Sequence, residues 1–174
     1  QAVLAIFPAF AKEVLLINNT IVIQGLLACS GIGIVLGSLL AGKISDRYIE
    51  SGLIPLGALG MVVSLFFLPQ ISSTTLFAVD ILAFGFFGGL FIVPLNSLIQ
   101  FHAKAQQLGT VLAGNNWIQN VVMLTFLGFT VAFSIGDISS KFLLNLLTIV
   151  TLVGASYTVW KLPQSLVRYI LGIV

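Results

Sequence analysis

Residues 20–42 read TIVIQGLLACSGIGIVLGSLLAG, and this stretch contains no charged residue. The hydrocarbon core of a bilayer is about 30 Å thick, and roughly 20 helical residues cross it. The stretch therefore predicts a membrane-spanning α-helix. Four further apolar runs long enough to cross follow it, at residues 52–69, 75–99, 109–134 and 142–160. We predict five complete spans.

A shorter apolar run precedes these spans and ends at Lys12 and Glu13. At 1.5 Å per residue it reaches only about half-way across the bilayer. The chain also begins with Gln1 and lacks the basic region and cleavage site of a signal peptide. We expect a truncated first span over about residues 1–17, in a chain cut from a longer polypeptide.

The composition indicates a surface that faces lipid. Hydrophobic residues make up 59% of the chain and charged residues only 7%, whereas soluble domains carry about 25% charged residues. Residues do not alternate between apolar and polar as they do in membrane barrels. We therefore predict an all-α integral membrane fold, with one bundle over residues 1–162 and a cytoplasmic or interfacial tail over 163–174 that leads into a further domain.

Several classes of function are disfavoured by the same counts. A net charge of +2 is too small to indicate a nucleic-acid partner, and the single Cys29 excludes a disulfide framework or a cysteine-based metal site. The sequence has no catalytic triad, zinc-ligand set or phosphate-binding loop. We therefore expect no enzyme activity, no metal and no cofactor.

The distribution of basic residues predicts the orientation, because cytoplasmic loops retain Lys and Arg. If the loops alternate between the two sides, one side carries five basic residues and the other only Lys12 and Lys141. The five are Lys43, Arg47, Lys104, Lys161 and Arg168. We expect that group, and the C-terminus, to be cytoplasmic.

Small side chains recur at helical spacing on two spans. Ser30, Gly33, Gly37 and Ala41 form one stripe, and Ala78, Gly85 and Gly89 form a second. Helices in lipid gain packing energy from close backbone approach, which small residues permit. Both stripes predict contacts between helices.

The most informative polar group is a cluster of carboxamides near the middle of the span at 109–134. Asn115, Asn116, Gln119 and Asn120 occupy an arc of about 140° on the helix. They either line a water-accessible cavity that binds a zwitterionic or hydroxylated ligand, or they join helices by hydrogen bonds. We predict the cavity, since four carboxamides exceed what one helix contact uses.

Asp80 is the only acidic residue inside an apolar run. Its helical row continues through Phe84, Phe87 and Phe91, and a charge above an aromatic row suits an amine headgroup with an acyl chain. Alternatively, Asp80 lies shallow enough to be hydrated, or it pairs with a lysine at the same membrane surface.

The loop GKISDRYIESG at residues 42–52 carries charges at the predicted cytoplasmic edge. Asp46 can oppose the positive N-terminal end of a neighbouring helix, while Arg47 binds carbonyls or an acid at a C-terminal end. Such a latch would favour one conformation. A loop that only sets the topology is the alternative.

This loop resembles the Gly-x-x-x-Asp-Arg/Lys motif of the major facilitator superfamily, in the copy between the eighth and ninth helices. Gly42, Asp46 and Arg47 match the motif, whereas Ile49 and Glu50 stand where the family has basic residues. The resemblance implies that the chain is the C-terminal six-helix half of a transporter, with its N-terminal half missing.

A closer resemblance involves residues 48–60, 88–100 and 114–120, which read YIESGLIPLGALG, GGLFIVPLNSLIQ and GNNWIQN. These strings are similar to the bacterial lysophospholipid transporter family, and the tail at 163–172 is similar to the segment that leads into a fused 2-acyl-glycerophosphoethanolamine acyltransferase. The resemblance implies transport of lysophosphatidylethanolamine and related lysolipids across the bacterial inner membrane for reacylation. Headgroup binding by the four carboxamides and Asp80 is an inference from their chemistry.

Two other functions fit the same residues. A facilitator for a water-soluble solute or drug would ordinarily need more membrane-embedded charge than Asp80 provides. A noncatalytic membrane anchor for an attached or partnering acyltransferase would not need the carboxamides at all.

Overall fold

The computed structural model describes residues 2–13, 15–16, 19–45, 52–103, 106–135 and 139–161. These residues form six α-helices and one short 3-10 helix, and no strand occurs among them. The helices are α1 (Ala2–Glu13), α2 (Thr20–Ile44), α3 (Leu53–Phe67), α4 (Thr74–His102), α5 (Leu108–Ile135) and α6 (Ser140–Lys161), and the 3-10 turn Leu68–Gln70 follows α3. The predicted all-α membrane fold is confirmed, and the helix bounds lie within a few residues of the predicted spans.

Within the described residues, four helical segments are long and apolar enough to cross a membrane. They are Thr20–Ile44, Leu53–Gln70, Thr74–His102 and Lys141–Thr158. Helix α5 has 28 residues, which is length enough, but it is not among the four.

Local sequence explains where the helices begin and end. Asn19 caps α2, because its side-chain oxygen accepts a hydrogen bond from the Ile21 backbone N–H at 2.9 Å. Pro69 ends the regular α-helix of α3, since a proline has no N–H for the carbonyl four residues earlier. The chain therefore tightens into the 3-10 turn Leu68–Gln70 before it leaves the helix.

Helices α2 and α4 cross in backbone contact at their glycines. A Cβ added at Gly89 would lie 2.7 Å from the Ser38 nitrogen, and one at Gly33 would lie 2.9 Å from the Phe86 nitrogen. Gly37 and Gly85 face the partner backbone in the same way. The predicted helix contact is confirmed, because all four members of the α2 stripe are buried: Ser30, Gly33, Gly37 and Ala41.

The buried apolar residues gather at two levels of the bundle. The larger cluster joins the whole of α1, the start of α2, the end of α3 and the starts of α4 and α6, through residues such as Phe10, Ile23, Leu65, Phe77 and Leu144. The smaller one joins the end of α2, the start of α3 and the middle of α4 through Ala41, Leu53 and Leu90. Helices α2, α3 and α4 therefore run in alternating directions.

The arrangement places charged residues as the alternating loops require. Lys12 and Lys141 adjoin the larger cluster, while Lys43 and Lys161 lie at the opposite helix ends. The other three residues of the predicted cytoplasmic group, Arg47, Lys104 and Arg168, lie outside the described residues.

Candidate functional site

Helix α5 carries the four carboxamides and lies at the margin of the bundle, against α1 and α4. No side chain described in α5 is buried. Its half-buried side chains are Leu108, Leu112, Asn115, Phe126 and Thr130. With Asn115 as the origin and about 100° per residue, they occupy an arc of about 60°. This arc is the side of α5 that faces the other five helices.

The carboxamides divide into two pairs on this wheel. Asn115 and Gln119 fall at about 0° and 40°, within the bundle-facing arc, although only Asn115 is half-buried and Gln119 is exposed. Asn116 and Asn120 fall at about 100° and 140°, beside the arc, and both are exposed. Each pair has the spacing of four residues that places side chains one turn apart on one face.

None of the four carboxamides forms a hydrogen bond with another described residue, although hydroxyl groups on the same helix do. Thr125 donates to the Val121 carbonyl at 2.8 Å, and Thr130 donates to the Phe126 carbonyl at 2.9 Å. A polar group that lacks a partner in an apolar medium costs about 1 to 3 kcal/mol. Within the described part of the chain, the hydrogen-bond donors and acceptors of the four carboxamides are therefore unused.

Asp80 lies on the side of α4 that faces α3. On the helical wheel its position falls between those of Phe87 and Phe91, and both of these residues contact Gly57 of α3 through their backbones. The Oδ2 atom of Asp80 is buried and accepts no hydrogen bond from the described residues.

The three phenylalanines of the row predicted below Asp80 are half-buried. The ring of Phe87 lies against Gly60 of α3 and makes an edge contact with Phe86 at a centroid distance of 5.6 Å. Phe84 packs against the larger apolar cluster. The row therefore belongs largely to contacts between helices, because glycines on α3 admit the rings of α4.

The structure does not bring Asp80 and the carboxamides together. Phe126 of α5 packs against the cluster that contains Phe77 and Ile81, which places it near the level of Asp80. The carboxamides precede Phe126 by six to eleven residues, or about 9 to 16 Å along the helix axis. The predicted site residues therefore lie at two depths.

Two of the three residues of the predicted latch, Asp46 and Arg47, lie outside the described residues. Gly42 is exposed near the end of α2, with open space where a Cβ would be. The nearby Ser45 closes the helix through its backbone N–H, which donates to the Ala41 carbonyl at 2.9 Å.

Thr148 is a buried residue that joins α6 to α3, and its sequence pattern does not single it out. Its hydroxyl lies 3.1 Å from the Leu65 carbonyl and 2.8 Å from the Leu144 carbonyl in its own helix. The Leu65 carbonyl lacks its usual helical donor because Pro69 stands four residues later. Pro69 was the signal in the sequence, because a proline four residues after Leu65 leaves the Leu65 carbonyl without a helical donor.

The described residues contain no group of three or more His, Cys, Asp or Glu side chains placed to hold a metal ion.

Comparison with known proteins identifies similar membrane transporters. The chain is 38% identical over 111 residues to the lysophospholipid transporter LplT of Klebsiella pneumoniae, an overlap of 63% of this chain and 28% of that protein. It is 36% identical over 102 residues to the protein of that name from Cronobacter sakazakii, covering 58% of this chain and 25% of the relative. The matched part thus spans about a quarter of the relatives' length. No protein-family profile matches the chain, and no solved structure matches it.

Proposed function

We propose that this chain is the C-terminal six-helix half of a major facilitator superfamily transporter. In this proposal the full protein moves lysophosphatidylethanolamine and related lysolipids across the bacterial inner membrane for reacylation. The observation that carries the proposal is the carboxamide cluster of α5, in which three side chains are exposed, Asn115 is half-buried, and none has a hydrogen-bond partner among the described residues. The similarity to curated lysophospholipid transporters supports the substrate class.

The cluster suits the crossing of a polar headgroup. A carboxamide offers two N–H donors and a carbonyl acceptor without carrying a charge, so it can replace water around a headgroup in the membrane interior. The single acyl chain of a lysolipid stays in the apolar surroundings while the headgroup passes along α5. Asp80, which lies at a different depth, contacts the headgroup amine near the non-cytoplasmic surface.

The remaining parts of the proposal concern the rest of the protein. The N-terminal half supplies the opposite wall of the cavity, and alternating access moves the headgroup between the two sides. Gly42, Asp46 and Arg47 form the cytoplasmic latch, and the C-terminus is cytoplasmic. The resemblance of the tail at 163–172 supports a fused or partnering acyltransferase that consumes the delivered lysolipid.

Flipping by the full-length protein in liposomes tests the proposal. Labelled lysophosphatidylethanolamine is added to one leaflet, and its appearance in the other is followed for the wild type and for a variant with all four carboxamides replaced by Leu. We expect the variant to lose flipping at normal folded yield. The matched control is Asn145→Leu, which removes an exposed carboxamide from α6 and is expected to keep flipping.

Unchanged flipping in the fourfold variant would remove the proposed site. If the protein does not flip lysolipid at all but still supports an attached acyltransferase, the anchor hypothesis replaces the transport proposal. Uptake of a water-soluble solute in place of lysolipid would favour the facilitator.

A further inference from the structure

We propose that the two pairs of carboxamides on α5 have different tasks, an inference that rests on the proposed lysolipid transport. Asn116 and Asn120 form the pair that contacts the headgroup, and they bind its phosphodiester. Asn115 and Gln119 instead hold α5 against the bundle.

The two pairs lie on different sides of α5, and this placement supports different tasks for them. Asn115 and Gln119 lie on the bundle-facing arc of α5 with Leu112 and Phe126. Asn116 and Asn120 lie beside that arc by about 40° to 80° from its edge, where the described helices do not cover them. Two exposed carboxamides in the interior of a membrane need a polar partner, because an unpartnered polar group in lipid is costly.

The chemistry of the exposed pair selects the phosphodiester. Asn116 and Asn120 are one helical turn apart, about 5 to 6 Å between Cβ atoms, and together they present four N–H donors. A phosphodiester offers oxygen acceptors at this spacing, and it is common to all lysophospholipids that carry a headgroup alcohol, whichever alcohol this is. Donation from neutral amides also avoids a permanent charge at this depth.

The bundle-facing pair serves a different purpose. Helix α5 has no buried side chain among those described, so its attachment depends on half-buried residues such as Asn115 and on partners outside the described residues. Hydrogen bonds between membrane helices contribute modestly to packing. Replacement of Asn115 and Gln119 by Leu removes their capacity for such bonds but supplies apolar contact, and it leaves Asn116 and Asn120 in place.

Two double variants of the full-length protein test the division, each assayed with lysophosphatidylethanolamine and lysophosphatidylglycerol. We expect Asn116→Leu/Asn120→Leu to lower flipping of both lipids by about tenfold or more, since it removes several hydrogen bonds to the phosphodiester. We expect Asn115→Leu/Gln119→Leu to lower flipping at least about threefold less than the first double variant does, and to shift the thermal unfolding midpoint. Asn116→Ala/Asn120→Ala provides a smaller replacement in case the leucines lower the folded yield.

The outcomes separate this inference from the proposed function. Equal loss in both double variants, or loss only in Asn115→Leu/Gln119→Leu, overturns the division while the transport proposal stands. Loss of one lipid but not the other in Asn116→Leu/Asn120→Leu overturns the assignment to the phosphodiester. Flipping unchanged in both double variants and in the fourfold variant overturns the transport site itself.

Discussion

The Leu65 carbonyl lacks a helical N–H donor because of Pro69, and a side chain on another helix supplies a donor instead. Pro69 provides no N–H, and the buried Thr148 hydroxyl lies within 3.1 Å of the Leu65 oxygen. We expect Thr148→Val to destabilise the bundle by about 1 kcal/mol, the usual contribution of a hydrogen bond between membrane helices. Thermal unfolding of the purified full-length protein in detergent measures the loss.

Thr158 provides the control for Thr148, because its hydroxyl bonds only to its own helix, at the Gly154 carbonyl 2.8 Å away. Thr158→Val should leave the unfolding midpoint nearly unchanged, and Thr148→Ser should retain most of the stability. Equal shifts for Thr148→Val and Thr158→Val would show that the contact across the helices contributes nothing.

At this scale the sequence predicts which residue types are exceptional but not how they are partnered. The carboxamides and Asp80 stand out because they are polar within apolar runs, and the helical angle separates the two pairs of carboxamides. Thr148 does not stand out, since threonine is common in membrane helices and bonds to its own backbone. Its second acceptor depends on the register between α3 and α6, which periodicity does not determine.

At the scale of helices, the glycine contact between α2 and α4 is the tightest in the bundle. We expect Gly89→Ala to destabilise the protein by about 1 to 3 kcal/mol, because the added Cβ would lie 2.7 Å from the Ser38 nitrogen and the helices would have to separate. The folded yield and the unfolding midpoint in detergent report the change.

Gly25 is the matched position on α2, because open space surrounds its added Cβ. Gly25→Ala should be neutral or slightly stabilising, since alanine favours the helix by up to about 1 kcal/mol. A Gly89→Ala protein as stable as Gly25→Ala would mean that α2 and α4 are not held by backbone contact.

The membrane-spanning helices were predictable because the membrane thickness sets their length. The contact faces of α2 and α4 were predictable because small residues recur there at helical spacing. The role of the aromatic row was not. The sequence places Phe87 in one row with Asp80, and the structure adds that its ring lies against Gly60 on α3. A wheel gives the angle of a side chain on its own helix, while the neighbour that covers this angle depends on how the helices assemble.

At the scale of the whole molecule, the alternating helix directions make the orientation testable. In a Cys29→Ala background, we expect a membrane-impermeant maleimide added from the non-cytoplasmic side to label Lys141→Cys and not Lys43→Cys. These lysines are exposed at opposite ends of the bundle, and the excess of basic residues predicts that Lys43 lies on the cytoplasmic side. Lysis should then make Lys43→Cys reactive.

Lys161→Cys repeats the test on α6 and should behave like Lys43→Cys, because both lie at the same end. Labelling of Lys43→Cys in intact cells with Lys141→Cys protected would reverse the orientation. Labelling of both from one side would contradict the alternation itself.

The general architecture follows from the sequence because a bilayer allows few solutions: six helices, opposite directions and charged ends. The site follows less completely. Its residue types are visible in the sequence, but their depths are not, and the separation of Asp80 from the carboxamides emerges only when Phe126 is placed beside Phe77 and Ile81.

The lack of burial along α5 also affects how sequence variation there should be read. Replacements on a helix that stabilises the described bundle only weakly are tolerated by folding, so selection on these positions reports what contacts the exposed face of α5. A saturation library of α5 can be sorted once for the amount of folded protein in the membrane and once for the proposed lysolipid flipping. The two sorts should therefore give nearly independent maps of the tolerated substitutions.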